Sequence, residues 1–437
     1  MKKIALIGAG SLIFTRNLTR DLLSFPAFSD SEIVLMDINK EKLSYIEHIV
    51  KKIVEAGGYN AAVTATNDRA QALDGADGVL VTVLANGVDV WRHDIEIPRD
   101  YGVDICVGDT LGPSGIFRYL RTAPLMLDIC HDVEKYCPNA IVLNYTNPMS
   151  MLCRTVQSMT KANITGLCHS VQGTAMMLSR WLGADFERDV AFLCAGINHQ
   201  AFFLEYKVNG KDVYPELKEI VKRPEIYEEE IVRNEMLLHL DYYVTESSRH
   251  NSEYTAWFRK RPDLIEKYCA HGAYKELGEN ASTLKNYIRR GSLWTNEYEK
   301  AISEKVDLSR GHEYAAYILN AVIGDNTIFE FNGNVRNFGL IENLPWGCCV
   351  EVPVVASKNG LRPIHVGTLP YQLAILVNTN AQCEELAIKG FLEADRRKIL
   401  QAVLFDPLTS AVLSMREIES MVDRMFRQNK EFLSYIY

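Results

Sequence analysis

Two side chains could between them hold a metal. Cys168, in Cys168-His169-Ser170, follows a strand-like apolar run, and His199 ends Gly196-Ile197-Asn198-His199. A thiolate and an imidazole from different elements suit a borderline divalent ion and leave positions open for substrate oxygens. A buried thiol and a hydrogen-bonded imidazole explain the same pair equally well. The stretch Arg249-His250-Asn251-Ser252-Glu253-Tyr254-Thr255-Ala256-Trp257-Phe258 gathers polar and aromatic groups, as carbohydrate sites often do. From composition alone it reads first as a helix start with an aromatic core face. Arg289-Arg290 reads as a solvated charge pair.

A second constellation points to a nucleotide. Gly8-Ala9-Gly10-Ser11 directly follows the apolar run Ile4 to Ile7. Glycines at such a turn allow the backbone to approach a pyrophosphate at the positive end of the next helix. The third glycine of G-x-G-x-x-G is absent, with Ile13 in its place. Asp37 ends the second apolar run and fits the acid that binds adenosine ribose hydroxyls, which favours NAD over NADP. A generic tight turn and a surface aspartate are the alternative; the strand-turn-helix context together with Asp37 favours the nucleotide. Asn144-Tyr145-Thr146-Asn147-Pro148 follows another strand, where a nicotinamide would lie, as the similar N-P turn does in the lactate and malate dehydrogenases.

The elements that must position these groups alternate. Strands are expected at 4–7, 33–36, 61–66, 79–84, 141–143 and 164–168. Helices are expected from about 14 to 26 and at 41–56, 118–136, 149–160 and 174–182. Such alternation predicts a parallel, doubly wound, Rossmann-type α/β sheet over 1–195 that binds NAD. After about residue 194, charged helical segments (224–240 and 277–290) mix with strands at 201–208 and 349–355. That predicts an α+β domain over 196–437, packed on the first, completing the substrate site and carrying oligomer contacts. Residues 85–115 read as a loop too long for an ordinary βα connection, and such loops are usually functional.

Composition bounds the rest. The 437 residues are 47% hydrophobic and 24% charged, which suits a soluble globular chain of two or three domains. Asp plus Glu at 56 exceeds Lys plus Arg at 47, a net charge of −9 without like-charge blocks, so nucleic acid is not an expected partner. Ten cysteines are scattered with no C-x-x-C pair, the pattern of reduced thiols in a cytoplasmic protein. The apolar run after Lys2-Lys3 stops at Gly8, and no membrane span is evident, so neither export by that route nor a membrane partner is expected.

Together, Gly8-Ala9-Gly10-Ser11, Asp109-Thr110-Leu111-Gly112-Pro113, Asn144-Tyr145-Thr146-Asn147-Pro148, Cys168-His169-Ser170-Val171, Gly196-Ile197-Asn198-His199, Gly333-Asn334-Val335 and Asn343-Leu344-Pro345 resemble glycoside hydrolase family 4. These are the NAD- and manganese-dependent glycosidases, built on a fold like that of lactate and malate dehydrogenase. The likeness runs from residue 4 to about 370. Cys168-His169-Ser170-Val171 is similar to the α-galactosidase (melibiase) branch, whereas phospho-glycosidases carry Asn or Asp after the cysteine. Thr245-Glu246-Ser247-Ser248 leading to Glu253-Tyr254-Thr255 points the same way. The α-glucosidases, α-galacturonidases and α-glucuronidases of the family use neighbouring patterns.

The resemblance implies cleavage of α-galactosides such as melibiose by oxidation at sugar C3, deprotonation at C2, elimination at C1, water addition and re-reduction. NAD and Mn2+, or another divalent transition metal, are implied as cofactors. It further implies Cys168 and His199 as metal ligands, Tyr254 as base and Asn147 as a sugar contact. An unperturbed tyrosine pKa near 10 requires a metal or cation close by, and Arg290 is a candidate cation. His169 stands where the α-phosphoglucosidase branch has an aspartate proposed as general acid, and an imidazole could take that role. Arg92 and Asp109 are candidate substrate contacts, although their loop could simply cap the sheet. A homodimer or homotetramer is the expectation from the family. The competing reading is a 2-hydroxy-acid dehydrogenase using His199 and Arg92, which leaves Cys168 and His250 to Tyr254 unexplained; a third is a non-catalytic NAD sensor.

Overall fold

The computed structural model describes residues 1–270 and 282–436. Six parallel strands, β1 (Lys3–Ile7), β2 (Glu32–Met36), β3 (Ala62–Thr66), β4 (Gly78–Val81), β5 (Ile141–Asn144) and β6 (Asn163–Gly166), lie in the order β3-β2-β1-β4-β5-β6. Most are short aliphatic runs buried on both faces, as a parallel sheet covered by helices demands. Helices Leu12–Leu23 and Lys40–Gly57 cover one face, and Gly112–Tyr136 with Arg396–Leu404 and Met415–Gln428 covers the other. In Lys40–Gly57 the expected residues Leu43, Ile46, Val50 and Ile53 are the buried stripe. This is the doubly wound sheet read from the alternation.

Register decides what meets at the functional edge. Ile7 pairs with Met36 and Val81, Val81 pairs with Asn144, and Asn144 pairs with Gly166. The residues just beyond that row therefore emerge side by side at the carboxyl ends of the strands. Asp37, Gly8, the Asn144–Asn147 turn and Cys168 are among them. Open α/β sheets bind ligands at that edge.

The second half, the α+β segment expected to pack on the first, also extends its sheet. β11 (Phe329–Arg336) runs antiparallel to β6 through Asn334 and Gly166, and β12 (Cys349–Ser357) pairs with β11. β12 then meets β7 (Val190–Ile197) through Glu351 and Gly196. β7 forms a hairpin with β8 (Gln200–Val208), and the short β10 (Tyr243–Val244) lines the far side. With β9 (Lys211–Asp212) and β13 (Gly360–Pro363), thirteen strands form one sheet among the described residues. The outer edge of β6, which would otherwise expose unpaired backbone groups, is thereby covered.

Three local expectations change. Residues 85–115 are not one long loop: Gly87–Asp100 is a helix, and the next helix starts at Gly112, six residues ahead of the expected 118. The apolar face of Gly87–Asp100, made by Trp91, Ile95 and Ile97, is broken by Asp94, which is buried and paired with Arg121, the guanidinium donating to it at 2.8 Å. The segment 224–240 splits into the helices Pro224–Tyr227 and Ile231–Leu240. Of the segment 277–290, residues 277–281 lie outside the described residues, and the described part begins the helix Ser282–Ser292. No helix among the described residues is long and apolar enough to cross a membrane.

Candidate active site

The glycine turn is held by its own backbone. Gly8 has φ of +85°, and a Cβ there would sit 2.4 Å from the carbonyl oxygen of Thr82. A Cβ on Gly10 would sit 2.6 Å from Asp37 Oδ2. The Asp37 carboxylate accepts the N–H of Gly10 and that of Asn39, both at 2.8 Å, so it braces the turn it follows. Ser11 caps the helix Leu12–Leu23, and its hydroxyl bonds to no N–H of that helix. That leaves an open cradle at a positive helix end, of the kind that receives a pyrophosphate.

Behind the turn, the Tyr298 hydroxyl donates to the Gly10 carbonyl. Arg290 belongs to this neighbourhood and not to Tyr254: its guanidinium pairs with Glu297 at 3.2 Å and acts on Tyr298. The expected cation beside Tyr254 is therefore not Arg290.

Across the edge, three donors converge. Cys168 lies just beyond β6, His199 in the β7–β8 turn, and Glu246 just beyond β10. The Cys168 sulfur, a His199 ring nitrogen and a Glu246 carboxylate oxygen all lie within 4.8 Å of one another. His199 and Glu246 both have left-handed backbones, with φ of 65° and 62°. Such residues cost about 1–3 kcal/mol each and cluster at functional sites.

The charges reinforce one another. Burial disfavours the Cys168 thiolate, but His199 outweighs it and the thiol pKa falls below the ordinary value. The Ser170 N–H also points at the sulfur, at 3.4 Å. Burial likewise opposes charge on His199 and Glu246. Cys168 and Glu246 raise the His199 pKa nonetheless, and His250 with His199 holds Glu246 well below the carboxylate range. A thiolate, an imidazole and a carboxylate are a fitting donor set for a borderline divalent ion.

Tyr254 is fully buried, with its hydroxyl 3.3 Å from His199 Nδ1, which Thr110 Oγ1 approaches at 2.9 Å. Burial first, then Asp109 and Glu253, push its phenol pKa well above 10. Its neighbour Glu253 accepts the N–H groups of Cys106, Val107 and Gly108 at 2.8, 3.0 and 2.9 Å. That clamp fastens the segment carrying Asp109 and Thr110 to the segment carrying Tyr254. His250 bridges Asp109 at 3.6 Å and Glu246 at 3.1 Å, and Asp109, His199 and His250 form a second converging trio.

Asn147 donates to Asp109 at 3.4 Å, while its own Oδ1 is buried without a partner. Arg118 donates to the Asn147 carbonyl at 3.2 Å and packs over Trp91. His169 is turned outward: Nε2 meets Glu313 at 2.6 Å, and the ring stacks on Tyr145 and Phe14. Arg92 is not brought to the site. It lies on the helix Gly87–Asp100 and, among the described residues, pairs with Asp89 and Glu96 of that helix, at 3.8 and 3.9 Å.

Glu246, His250, Thr110, Arg118 and Glu313 were not singled out from sequence. Glu246 and His250 stood in motifs already noted, and an acid and a histidine four apart were a usable signal. Arg118 and Glu313 had none.

The description "Family 4 glycosyl hydrolase" matches residues 3–184, and "Family 4 glycosyl hydrolase C-terminal domain" matches residues 194–409. The chain is 37% identical to an alpha-galactosidase of Bacillus subtilis (strain 168), with 99% of each covered. It is 35% identical to an alpha-galactosidase of Rhizobium meliloti (strain 1021), over 97% of this chain and 87% of that one. A 6-phospho-alpha-glucosidase from gut microorganisms, solved with NAD and Mn2+, shares the fold at a TM-score of 0.81, with 20% identity and 99% and 98% of the chains covered. Malate dehydrogenase from Plasmodium falciparum shares it more loosely, at a TM-score of 0.51 and 14% identity over 90% of this chain and 99% of that one. The chain belongs to family 4 of the glycosyl hydrolases.

Proposed function

We propose that the chain is an α-galactosidase that cleaves its substrate by redox-neutral elimination and addition, with NAD and a divalent metal, Mn2+ in the first instance. The observation that carries the reading is the Cys168–His199–Glu246 cluster, set beside a fully buried tyrosine at the sheet edge that also bears the glycine turn. Two-carboxylate glycosidases need no such group of soft and borderline ligands. The relatives named alpha-galactosidase supply the sugar.

The residues present fit both cofactors. Gly8, Gly10 and Ser11 would hold NAD with Asp37 beneath the turn, and NAD when bound supplies reversible hydride acceptance. Cys168, His199 and Glu246 would hold the metal, which when bound supplies Lewis-acid charge at sugar oxygens. Asn147, with its unpartnered Oδ1, and Arg118 orient the sugar hydroxyls, and Asp109 closes that wall. Tyr254 Oη, as phenolate, would take the proton from sugar C2. Burial, Asp109 and Glu253 hold the phenol pKa well above 10, so its ionisation calls for the positive charge that a metal at Cys168, His199 and Glu246 would supply. His199 and Thr110 both bond to that oxygen. Glu313 holds Nε2 of His169, which leaves Nδ1 to pass a proton to the departing oxygen. A division near residue 195 separates the nucleotide-binding part from the part that completes the sugar site. The thiol ligand calls for a reducing compartment, so we place the enzyme in the cytoplasm, as a homodimer or homotetramer.

The test is hydrolysis of p-nitrophenyl α-galactoside in D2O with Mn2+, NAD+ and a thiol reductant. Deuterium at C2 of the released galactose, without net NADH, is the expected result. Hydrolysis indifferent to a chelator and to removal of NAD+ would sink the mechanism. Faster cleavage of an α-glucoside or α-galacturonide would replace the sugar and leave the chemistry.

A further inference from the structure

The second converging trio, Asp109, His199 and His250, offers three ligand atoms within 4.8 Å of one another. Two imidazoles and a carboxylate are a donor set that holds zinc with one position left open. The trio lacks the thiolate of the Cys168 cluster, so it is the harder of the two sets. All three side chains are largely buried.

Outer contacts aim the donors inward. His250 Nδ1 meets Glu246 at 3.1 Å and Ser247 Oγ at 2.9 Å, which leaves Nε2 facing Asp109. A metal-bound histidine almost always gives its other ring N–H to a carboxylate, carbonyl or water in this way. Asp109 is held in turn, since Thr110 Oγ1 donates to it at 2.8 Å and Asn147 at 3.4 Å. The spacing between the two ligands also points to an ion. Nε2 of His250 lies 3.6 Å from Asp109 Oδ1, too far for a hydrogen bond. Two ligands at ordinary zinc bond lengths and a tetrahedral angle stand about 3.4 Å apart, close to this gap.

His199 is common to both trios and can serve each with a different nitrogen. Its Nε2 faces Glu246 at 3.5 Å, while Nδ1 faces Thr110 Oγ1, which itself bonds Asp109. The His250 ring lies beside it, with centroids 5.0 Å apart at 69°. We propose that Asp109, His199 and His250 form a second metal site, for a borderline divalent ion such as Zn2+, alongside the Cys168 site. An ion there takes the carboxylate of the sugar wall and the imidazole nitrogen beside Tyr254 Oη, so the site is inhibitory. Its existence rests on the geometry of the trio; its effect on turnover rests on the α-galactosidase reading.

The probe is Co2+, added to the metal-free full-length chain in the presence of NAD+ and a non-thiol reductant. Charge transfer from a thiolate to Co2+ absorbs in the near ultraviolet and marks the Cys168 site, because the second trio has no sulfur. Equilibrium dialysis is expected to count two Co2+ per chain, of which one carries the thiolate band. In His250→Asn the amide can still donate to Glu246, but no atom stands in the place of Nε2. One Co2+ should stay with its band, and the other should bind at least roughly 100-fold more weakly. If that variant does not fold by circular dichroism, Asp109→Asn reports the same loss. Chains carrying two Co2+ should hydrolyse p-nitrophenyl α-galactoside at least roughly tenfold more slowly than chains carrying one. A parent that binds a single Co2+, or a second Co2+ that the variants keep at parental affinity, overturns the proposal. So does a second Co2+ that leaves hydrolysis unchanged. A chain that binds two Co2+ by these criteria and cleaves no α-galactoside keeps the second site and removes the α-galactosidase reading instead.

Discussion

The glycine-turn half of the site and the cysteine–histidine half are held by different means. On the first, the parts are backbone: a strand register, a glycine at φ of +85° and a carboxylate accepting two main-chain N–H groups. On the second, they are charged side chains from separated stretches, buried together and held by one another. Cys168, His199, Glu246, His250 and Asp109 each face a group of opposite charge. Removing one member of a buried charged cluster leaves its partner unpaired in a poor solvent. The first half should therefore tolerate local change with graded loss, and the second should fail as a unit.

The largest expected effect lies in the second half. Cys168→Ser exchanges a soft thiolate for a hydroxyl that stays protonated, so Mn2+-dependent hydrolysis should fall by more than about 100-fold. Circular dichroism should stay that of the parent, because Cys168 anchors no strand. Full activity in this variant would remove the metal assignment. Glu253→Gln comes next. An amide can satisfy two of the three main-chain donors at 106–108 but presents its own N–H to the third, a cost of about 1–3 kcal/mol. The segment bearing Asp109 and Thr110 would loosen against Tyr254, and kcat should drop by roughly tenfold. NAD+ affinity should stay within about twofold of the parent if the two halves are as separate as their construction implies. A parallel loss of NAD+ affinity would show that they are one unit.

The same contrast explains what could be read from sequence. The six parallel strands and the glycine turn were legible because short apolar runs and glycines act locally. Cys168, His199 and Tyr254 came from motifs that carry the family resemblance. Glu246 and His250 were visible but unassigned, since only the approach of β10 to the β7–β8 hairpin brings them to His199. The helix Gly87–Asp100 was hidden by Asp94, whose burial depends on Arg121 one helix further on, and by Pro98 in its last turns. Arg290 was misplaced for a related reason: a lone arginine gives no sign of which carboxylate will hold it, and Glu297 does.

Asp37→Ser probes the first half. The shorter side chain cannot reach both Gly10 and Asn39, and it loses the charge that would repel a 2′-phosphate. NAD+ should bind roughly tenfold more weakly, and the preference for NAD+ over NADP+ should shrink. Mn2+ affinity measured without nucleotide should not move, and a matching loss there would contradict the backbone-held picture.

The smallest expected effect is at Arg92. The sequence makes it a candidate sugar contact beside Asp109, because both fall in a stretch that reads as one loop. In the helix Gly87–Asp100 its guanidinium pairs, among the described residues, with Asp89 and Glu96, and 40% of the side chain is exposed. Exposed pairs at such spacings contribute about 0.5 kcal/mol or less. Arg92→Ala should thus change unfolding free energy by no more than about 0.5 kcal/mol and kcat/KM for an aryl α-galactoside by less than about twofold. Asp109→Asn, at the residue directly after the segment that Glu253 clamps, should differ sharply, because it breaks the bond network that His250 shares with Glu246. A loss of roughly tenfold or more in Arg92→Ala would mean that the helix swings its guanidinium into the sugar site when substrate binds, and that the two halves meet there after all.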